Sequence, residues 1–262
     1  MLAQNTVNIC LGHLPFPRSH AHHIDLMVSP HILSEVRRLV LVEDRVFGPN
    51  GNSLSEYAQL LWINENLSSI AGENRYLRIF HYRRFVAPDE PSNGKASINL
   101  PWATVITEKE LVSYDKSFER TVRRELFNTP AQFSGGMIAQ YATSHCLEDL
   151  MRFSAFLIEK KIMSPISVAL FLRESIHIPS CNIGVFTQDS FREIFSILRR
   201  AAEFILSEHF IARDGYQRRS VGFLLERLNS FLIINRIREG ASEENFGHNI
   251  VISDSEFVSA TN

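Results

Sequence analysis

The sequence predicts an α/β fold, a mostly parallel sheet covered by helices, with a helical C-terminal half. Two observations predict it. Short apolar runs of strand length alternate with helical periods in the first half, and amphipathic helical periods dominate the second. The 262 residues, 45% hydrophobic and 21% charged, suit one α/β domain. A chain this long buries most of its surface without disulfide or metal staples.

The elements follow in order. Val7 to Leu11 reads as a buried strand, Pro15 to His31 as a loop rich in Pro, His and Ser, and Leu39 to Val42 as a second strand. A helix is predicted from Ser53, with Leu54, Tyr57, Leu60, Leu61 and Leu67 on one face. Ser53 and Glu56 form a capping-box pattern, and Pro49-Asn50-Gly51 punctuates the chain before it. Trp62, at helical spacing, reads as core. Tyr76 to Phe80 is a buried strand, Pro88 to Gly94 a loop and Ala103 to Ile106 another strand.

In the second half, Leu147, Leu150, Met151, Ser154, Leu157 and Ile158 mark one helix face. Asn182 to Phe186 reads as a strand after Pro179. Ser190 to Glu208 is a helix, with Ser190 and Glu193 as its capping box. Arg218 to Ile237 is another, with Val221, Leu224, Leu225, Leu228 and Leu232 inward. One domain over residues 1–238 is expected, and 239–262 is expected to be a polar, mobile tail.

Composition excludes several classes. The net charge of -2, from 27 basic and 29 acidic residues, gives no basic surplus for nucleic acid. No apolar run reaches the length of a membrane span. MLAQNTVNICLG has no basic region before its apolar stretch, so no secretory signal is expected. Cys10, Cys146 and Cys181 are far apart and form no CxxC pair, which fits a reducing compartment. A cytoplasmic location is expected, with any lipid-linked substrate met by peripheral contact at the inner membrane face.

The segment Tyr76-Leu77-Arg78-Ile79-Phe80-His81-Tyr82-Arg83-Arg84-Phe85 carries the most chemistry. An apolar strand runs straight into a polar cluster, at the strand end where ligands bind in such sheets. Guanidinium groups match phosphate oxygens in bidentate fashion, and a diphosphate leaving group needs its charge neutralised. A solvated strand end with a surface ion pair is the competing reading. Asn52 and Glu56 at a helix start offer polar contacts to a nucleotide, although capping is the commoner role for such an acid. His145 and Asp149 lie four apart on one helix face, a spacing that would let the carboxylate raise the imidazole's basicity. Glu226 and Arg227 are adjacent, point to different sides and are not expected to pair with each other. His20, His22 and His23 form an H-x-H-H cluster that reads as a loop rather than a metal site.

Together these pieces resemble a family of bacterial domains of about this length, exopolysaccharide and capsule biosynthesis proteins grouped with the glycosyltransferases. The family's hallmark is a phrase like GLCHYRRYF, here Arg78 to Phe85. Its GDNIS turn and following glutamate look like Gly51-Asn52-Ser53 and Glu56, with shorter spacing. Its YxxxH segment looks like Tyr141 and His145, its NMFIM strand like Asn182 to Phe186, and its GFLAERL helix like Gly222 to Leu228. An early histidine after the first strand looks like His13. These pieces keep the family's order and cover residues 7 to 235.

The resemblance implies a glycosyltransferase-A-like, single-Rossmann-like fold. It also implies transfer of a sugar from a nucleotide-sugar donor to a saccharide or lipid-linked acceptor. On that basis Asn52, Glu56, His81, Tyr82, Arg83 and Arg84 are assigned to the donor, with the two arginines on the diphosphate. Tyr141, Asn182 and Arg227 are assigned to acceptor or donor-sugar contacts. Glu226, His145 and Asp149 are the candidate bases, Glu226 first. No Asp-x-Asp follows the strand, so no residues are assigned to a metal. The arginines are expected to replace the cation, with Mg or Mn as the alternative. Two rivals stand beside this reading: a non-catalytic nucleotide-sugar- or glycan-binding module, and a metal-dependent hydrolase using His20, His22 and His23.

Overall fold

A computed structural model describes residues 6–12, 23–27, 39–41, 51–97, 100–107, 110–111, 124–240 and 245–252; the side chains of 23–27, 39–41 and 51–52 lie outside the description. Three strands start the sheet: β1 (Thr6–Gly12), β2 (His23–Met27) and β3 (Leu39–Leu41). Helices α1 (Gly51–Leu54), α2 (Tyr57–Glu65) and α3 (Leu67–Ala71) follow, then β4 (Tyr76–His81), β5 (Arg84–Ala87), β6 (Lys95–Ala96) and β7 (Ala103–Ile106). The second half runs β8 (Phe127–Asn128), β9 (Ala131–Gln132), α4 (Gly136–Ala142), α5 (Leu147–Glu159), α6 (Pro165–Arg173), β10 (Ile176–His177), β11 (Gly184–Thr187), α7 (Gln188–Ala202), α8 (Ser220–Arg238) and β12 (Phe246–Ile252).

Among the described residues, ten strands form one mixed sheet with the order β3-β2-β1-β4-β5-β12-β7-β6; β11 pairs with β4 and β8 with β12. The β3-β2-β1-β4 half is parallel throughout, while β11 and β5 both run antiparallel to β4. Buried runs such as Ile9 to Leu11 and Leu77 to Phe80 suit strands covered on both faces. β1 and β4 end side by side, Leu11 opposite His81, so their carboxyl ends share one edge.

Helices α2, α7 and α8 pack in series on this sheet. Phe191 and Phe195 of α7 stack at 4.1 Å, and Phe186 of β11 meets both edge-on. Each fully buried aromatic of this kind contributes about 2–3 kcal/mol. Gly222 lets α8 approach α1, since a Cβ there would stand 2.9 Å from the Leu54 carbonyl oxygen.

Several expectations change. The helix expected from Ser53 is broken at Ser55, whose φ of 56° is left-handed. Glu56 lies between α1 and α2 and contacts Ser55, His81 and Arg219 instead of forming a capping box with Ser53. α7 starts at Gln188, because β11 flows directly into it and Thr187 is its N-cap, accepting from the Ser190 amide at 3.2 Å. Ser190 thus lies inside the helix. His23 to Met27 is strand where a loop was expected; His13, His20 and His22 lie outside the described residues. Trp62 is partly buried against the core. The largest correction concerns the tail: residues 246–252 are an inner strand, parallel to β7 and antiparallel to β5. Its apolar run Ile250-Val251-Ile252 has sheet on both sides.

Candidate functional site

The site forms where β1 and β4 end. Tyr82 and Arg83 make a two-residue turn, and β5 starts at Arg84 opposite His81. The turn is fixed from two sides: the Tyr82 amide donates to the Leu11 carbonyl at 3.1 Å, and the Ile252 amide donates to the Arg83 carbonyl at 2.9 Å. Gln59 of α2 donates to the Gly12 carbonyl at 3.2 Å, docking the helix on the end of β1.

The turn sends the cluster's side chains in different directions. Tyr82 is buried against Gly12, where a Cβ would come within 2.5 Å of the ring. That corrects its assignment as a donor contact. Arg83 is exposed and lies over the Tyr82 ring at 4.9 Å. Arg84 is half-buried and donates from Nη1 to Ser180 Oγ at 2.7 Å. The two guanidinium groups are therefore no matched pair, because the hairpin puts Arg83 on its tip and Arg84 on its strand. Burial lowers the Arg84 pKa, while the carboxylates of Glu226 and Glu56 both act to raise it. Arg84 thus feels two acids distant in sequence, Glu56 in the turn before α2 and Glu226 in α8.

His81 and Glu56 meet at 3.6 Å (Nε2 to Oε1). Glu56 also takes hydrogen bonds from Ser55 Oγ and, at 3.3 Å, from Arg219 Nη2. Burial works to raise its pKa, but the Ser55 hydroxyl and the charges of His81 and Arg219 outweigh this and hold it below the usual carboxylate value. Asn52 lies in α1, with its side chain outside the description.

The opposing wall comes from α8. Glu226 is half-buried, and Arg227, only 6% exposed, donates to Glu226 Oε2 at 2.8 Å. The expectation that these neighbours do not pair is corrected: the arginine stem is long enough to curl back to the adjacent carboxylate. Arg227 also donates to Gln140 Oε1 at 3.1 Å and contacts His145 Nε2 at 3.4 Å. Tyr141 is fully buried beneath Arg227, 5.7 Å from ring to guanidinium, which removes it from direct ligand contact. Asn182 is half-buried in the turn before β11.

His145 and Asp149 do not act together. Asp149 is buried and holds Arg213 at 2.7 Å. His145 instead faces Arg227, and burial together with that charge lowers its pKa to about 4. A base with raised basicity was expected; the structure gives a neutral imidazole. Glu226 and Glu56 are exposed to the same degree, 27% and 26%, but Glu56 is held by two cationic side chains, Arg219 and His81, and Glu226 by Arg227.

The sequence reading missed Ser55, Ser180 and Arg219. Ser55 and Ser180 have φ of 56° and 51°, rare for non-glycine residues. Each places its hydroxyl on a charged site residue, Glu56 and Arg84 respectively. Strain of this kind persists where surroundings over-determine it, often at functional sites. No local pattern marks these serines; the Arg218-Arg219 run before α8 is the one available signal for Arg219. Among the described residues, no group of three or more His, Cys, Asp or Glu is placed to hold a metal ion. No described helix is long and apolar enough to cross a membrane.

No family model matches the chain, and no curated protein matches it in sequence. Among solved structures, the apo structure of the bifunctional glycosyltransferase WbbM superposes with a TM-score of 0.68 at 18% identity. The match covers 95% of this chain and 45% of that one. The α/β fold, a central sheet flanked by helices, is thus shared with a glycosyltransferase, and the chain spans less than half the length of that protein.

Proposed function

We propose that the chain is a glycosyltransferase that moves a sugar from a nucleotide-sugar donor to a saccharide or lipid-linked acceptor in surface polysaccharide synthesis. One observation carries the reading: Arg84, half-buried and opposite His81 at the carboxyl ends of the parallel strands, is fixed by its hydrogen bond to Ser180, and the carboxylates of Glu226 and Glu56 favour its charge. A cation seated there can neutralise a diphosphate as its bond to the sugar breaks, and one of the acids can take the acceptor proton. The WbbM fold likeness supports the same reaction class.

In this mechanism Arg84 binds the diphosphate, oriented by Ser180. Arg83, at the mobile-solvent side of the turn, adds screened attraction. His81 and Glu56 orient the donor. Glu226 accepts the proton of the attacking hydroxyl, and Arg227 fixes its carboxylate. The described residues do not fit a divalent metal ion, since Glu56 is already held by Ser55, His81 and Arg219, and no step is assigned to one. Location in the cytoplasm, with peripheral contact at the inner membrane face for a lipid-linked acceptor, belongs to the same proposal.

Glu226→Gln tests the assignment. Turnover should fall by roughly 10²–10⁴-fold, with nucleoside diphosphate affinity intact. Unchanged turnover would make Glu226 structural. A thermal-shift series with nucleoside diphosphates and nucleotide sugars separates the transferase from a glycan-binding module, since a ligand of the native state raises its stability. A module that binds glycans alone would give no shift with any nucleotide.

A further inference from the structure

Beside the Glu226–Arg227 pair lies a set of stacked rings that the proposed donor site does not use. The segment Gly215–Arg219 is a short 3₁₀ turn leading into α8. Gln217 ties it to the α4–α5 turn, donating to the Ser144 carbonyl at 2.8 Å. Tyr216 stands on this turn 63% exposed, a large aromatic outside any core. Its ring lies 5.0 Å from that of Phe223 and 6.1 Å from that of His145, the latter nearly parallel at 15°. His145 stacks on the buried Phe223 at 4.1 Å. The three rings form one shelf, anchored in the core at Phe223 and open to solvent at Tyr216.

Polar groups border the shelf on the side of the site. Arg219 lies 5.7 Å over the Phe223 ring and reaches Glu56 at 3.3 Å. Arg227 links His145 to Glu226 through contacts of 3.4 and 2.8 Å. Phe223 and Glu226 are three residues apart on α8, so they share a face. Burial and Arg227 keep the imidazole uncharged above about pH 4, so the stack stays neutral.

A rigid aromatic face with a charged, hydrogen-bonding rim matches one ligand class well. A pyranose has an apolar face of C–H bonds, which lies on the negative face of an aromatic ring, and a rim of hydroxyls that needs polar partners. We infer that the exposed Tyr216, backed by the His145–Phe223 stack, is the acceptor shelf, on which a saccharide ring lies with one hydroxyl directed at Glu226. This rests on the reading of Glu226 as the base. A nucleobase is the other flat ligand a stack could take. The shelf adjoins the acid that receives the acceptor proton, while the diphosphate cation Arg84 reaches in from β5, and this favours the saccharide.

The experiment uses the full chain with Tyr216→Ala and Tyr216→Phe, both exposed substitutions whose folding is checked by circular dichroism. Calorimetry and saturation-transfer NMR measure binding of gluco-, galacto- and manno-oligosaccharides of two to four units. Uridine and guanosine diphosphates are titrated in parallel. At least one oligosaccharide should bind the unaltered protein. Tyr216→Phe should keep that affinity within about twofold, and Tyr216→Ala should weaken it by ~5- to 10-fold while leaving diphosphate affinity unchanged. Three results would overturn the shelf: no oligosaccharide bound by the unaltered protein, unchanged saccharide affinity in Tyr216→Ala, or loss of nucleotide affinity in that variant. Saccharide binding that depends on Tyr216 without any diphosphate binding would keep the shelf and remove the transferase.

Discussion

Arg84→Ala is the sharpest test of the diphosphate assignment. The side chain is half-buried, oriented by Ser180 at 2.7 Å, and placed in the field of Glu226 and Glu56. Its removal deletes charge-assisted hydrogen bonds to phosphate and leaves two carboxylates facing an anionic ligand. Two such bonds at ~1.5 kcal/mol each give about 3 kcal/mol, or ~150-fold in Kd. Calorimetry of a nucleoside diphosphate against the free nucleoside isolates this: the diphosphate should weaken by about that factor, the nucleoside by less than about threefold. Arg83→Ala should cost at most ~5-fold, because an exposed charge is screened, and the difference should vanish in molar salt. Equal losses for nucleoside and diphosphate, or a larger loss at Arg83 than at Arg84, would refute the assignment.

The other predictions concern stability. Gly12→Ala should destabilise by about 2–3 kcal/mol, because its φ is 149° and the new methyl would meet the buried Tyr82 ring at 2.5 Å. Urea unfolding should show a lower midpoint, with Gly240→Ala, where a Cβ meets nothing within 4 Å, as the neutral control. For pH, burial lowers the His177 pKa to about 4. The unfolded chain takes up this proton near pH 6.5 and the native state does so only near 4, so stability is lost as pH falls through that window. The expected loss from this group is about 3 kcal/mol, and His177→Phe should make that part of the stability–pH curve shallower, leaving the share of His145, whose pKa is lowered to about the same value. A curve of unchanged slope would show that His177 is solvated.

Three of the four parallel strands were legible because they read as largely apolar runs, as in Val7 to Leu11 and Tyr76 to Phe80, each with one polar residue; β2 was not, since it lies at the end of a stretch rich in Pro, His and Ser. Helices α5, α7 and α8 announced themselves by their spacing. β12 was not legible, since Gly247, His248 and Asn249 dilute its pattern and a polar stretch precedes it. Asn249 is buried all the same, because its neighbours β5 and β7 surround it. At the site, the location of the His81–Arg84 cluster followed from an apolar strand ending in charge. The direction of each side chain did not, because a two-residue hairpin sends consecutive residues to opposite destinations. The His145–Asp149 pairing failed for a related reason. Helical spacing makes a contact available, but Arg213 and Arg227, distant in sequence, compete for the same groups and win on charge.

The last described strand has a consequence for how the molecule matures. β12 fills the gap between β5 and β7, and its Ile252 amide closes the turn that carries Arg83 and Arg84. A nascent polypeptide that has emerged only as far as α8 leaves that gap open and the turn untethered on one flank. Completion of the sheet and competence to grip an anion therefore arrive together, once residues 246–252 have emerged. A ribosome-released fragment ending at residue 240 should stay inert toward diphosphates even where its helices have already condensed.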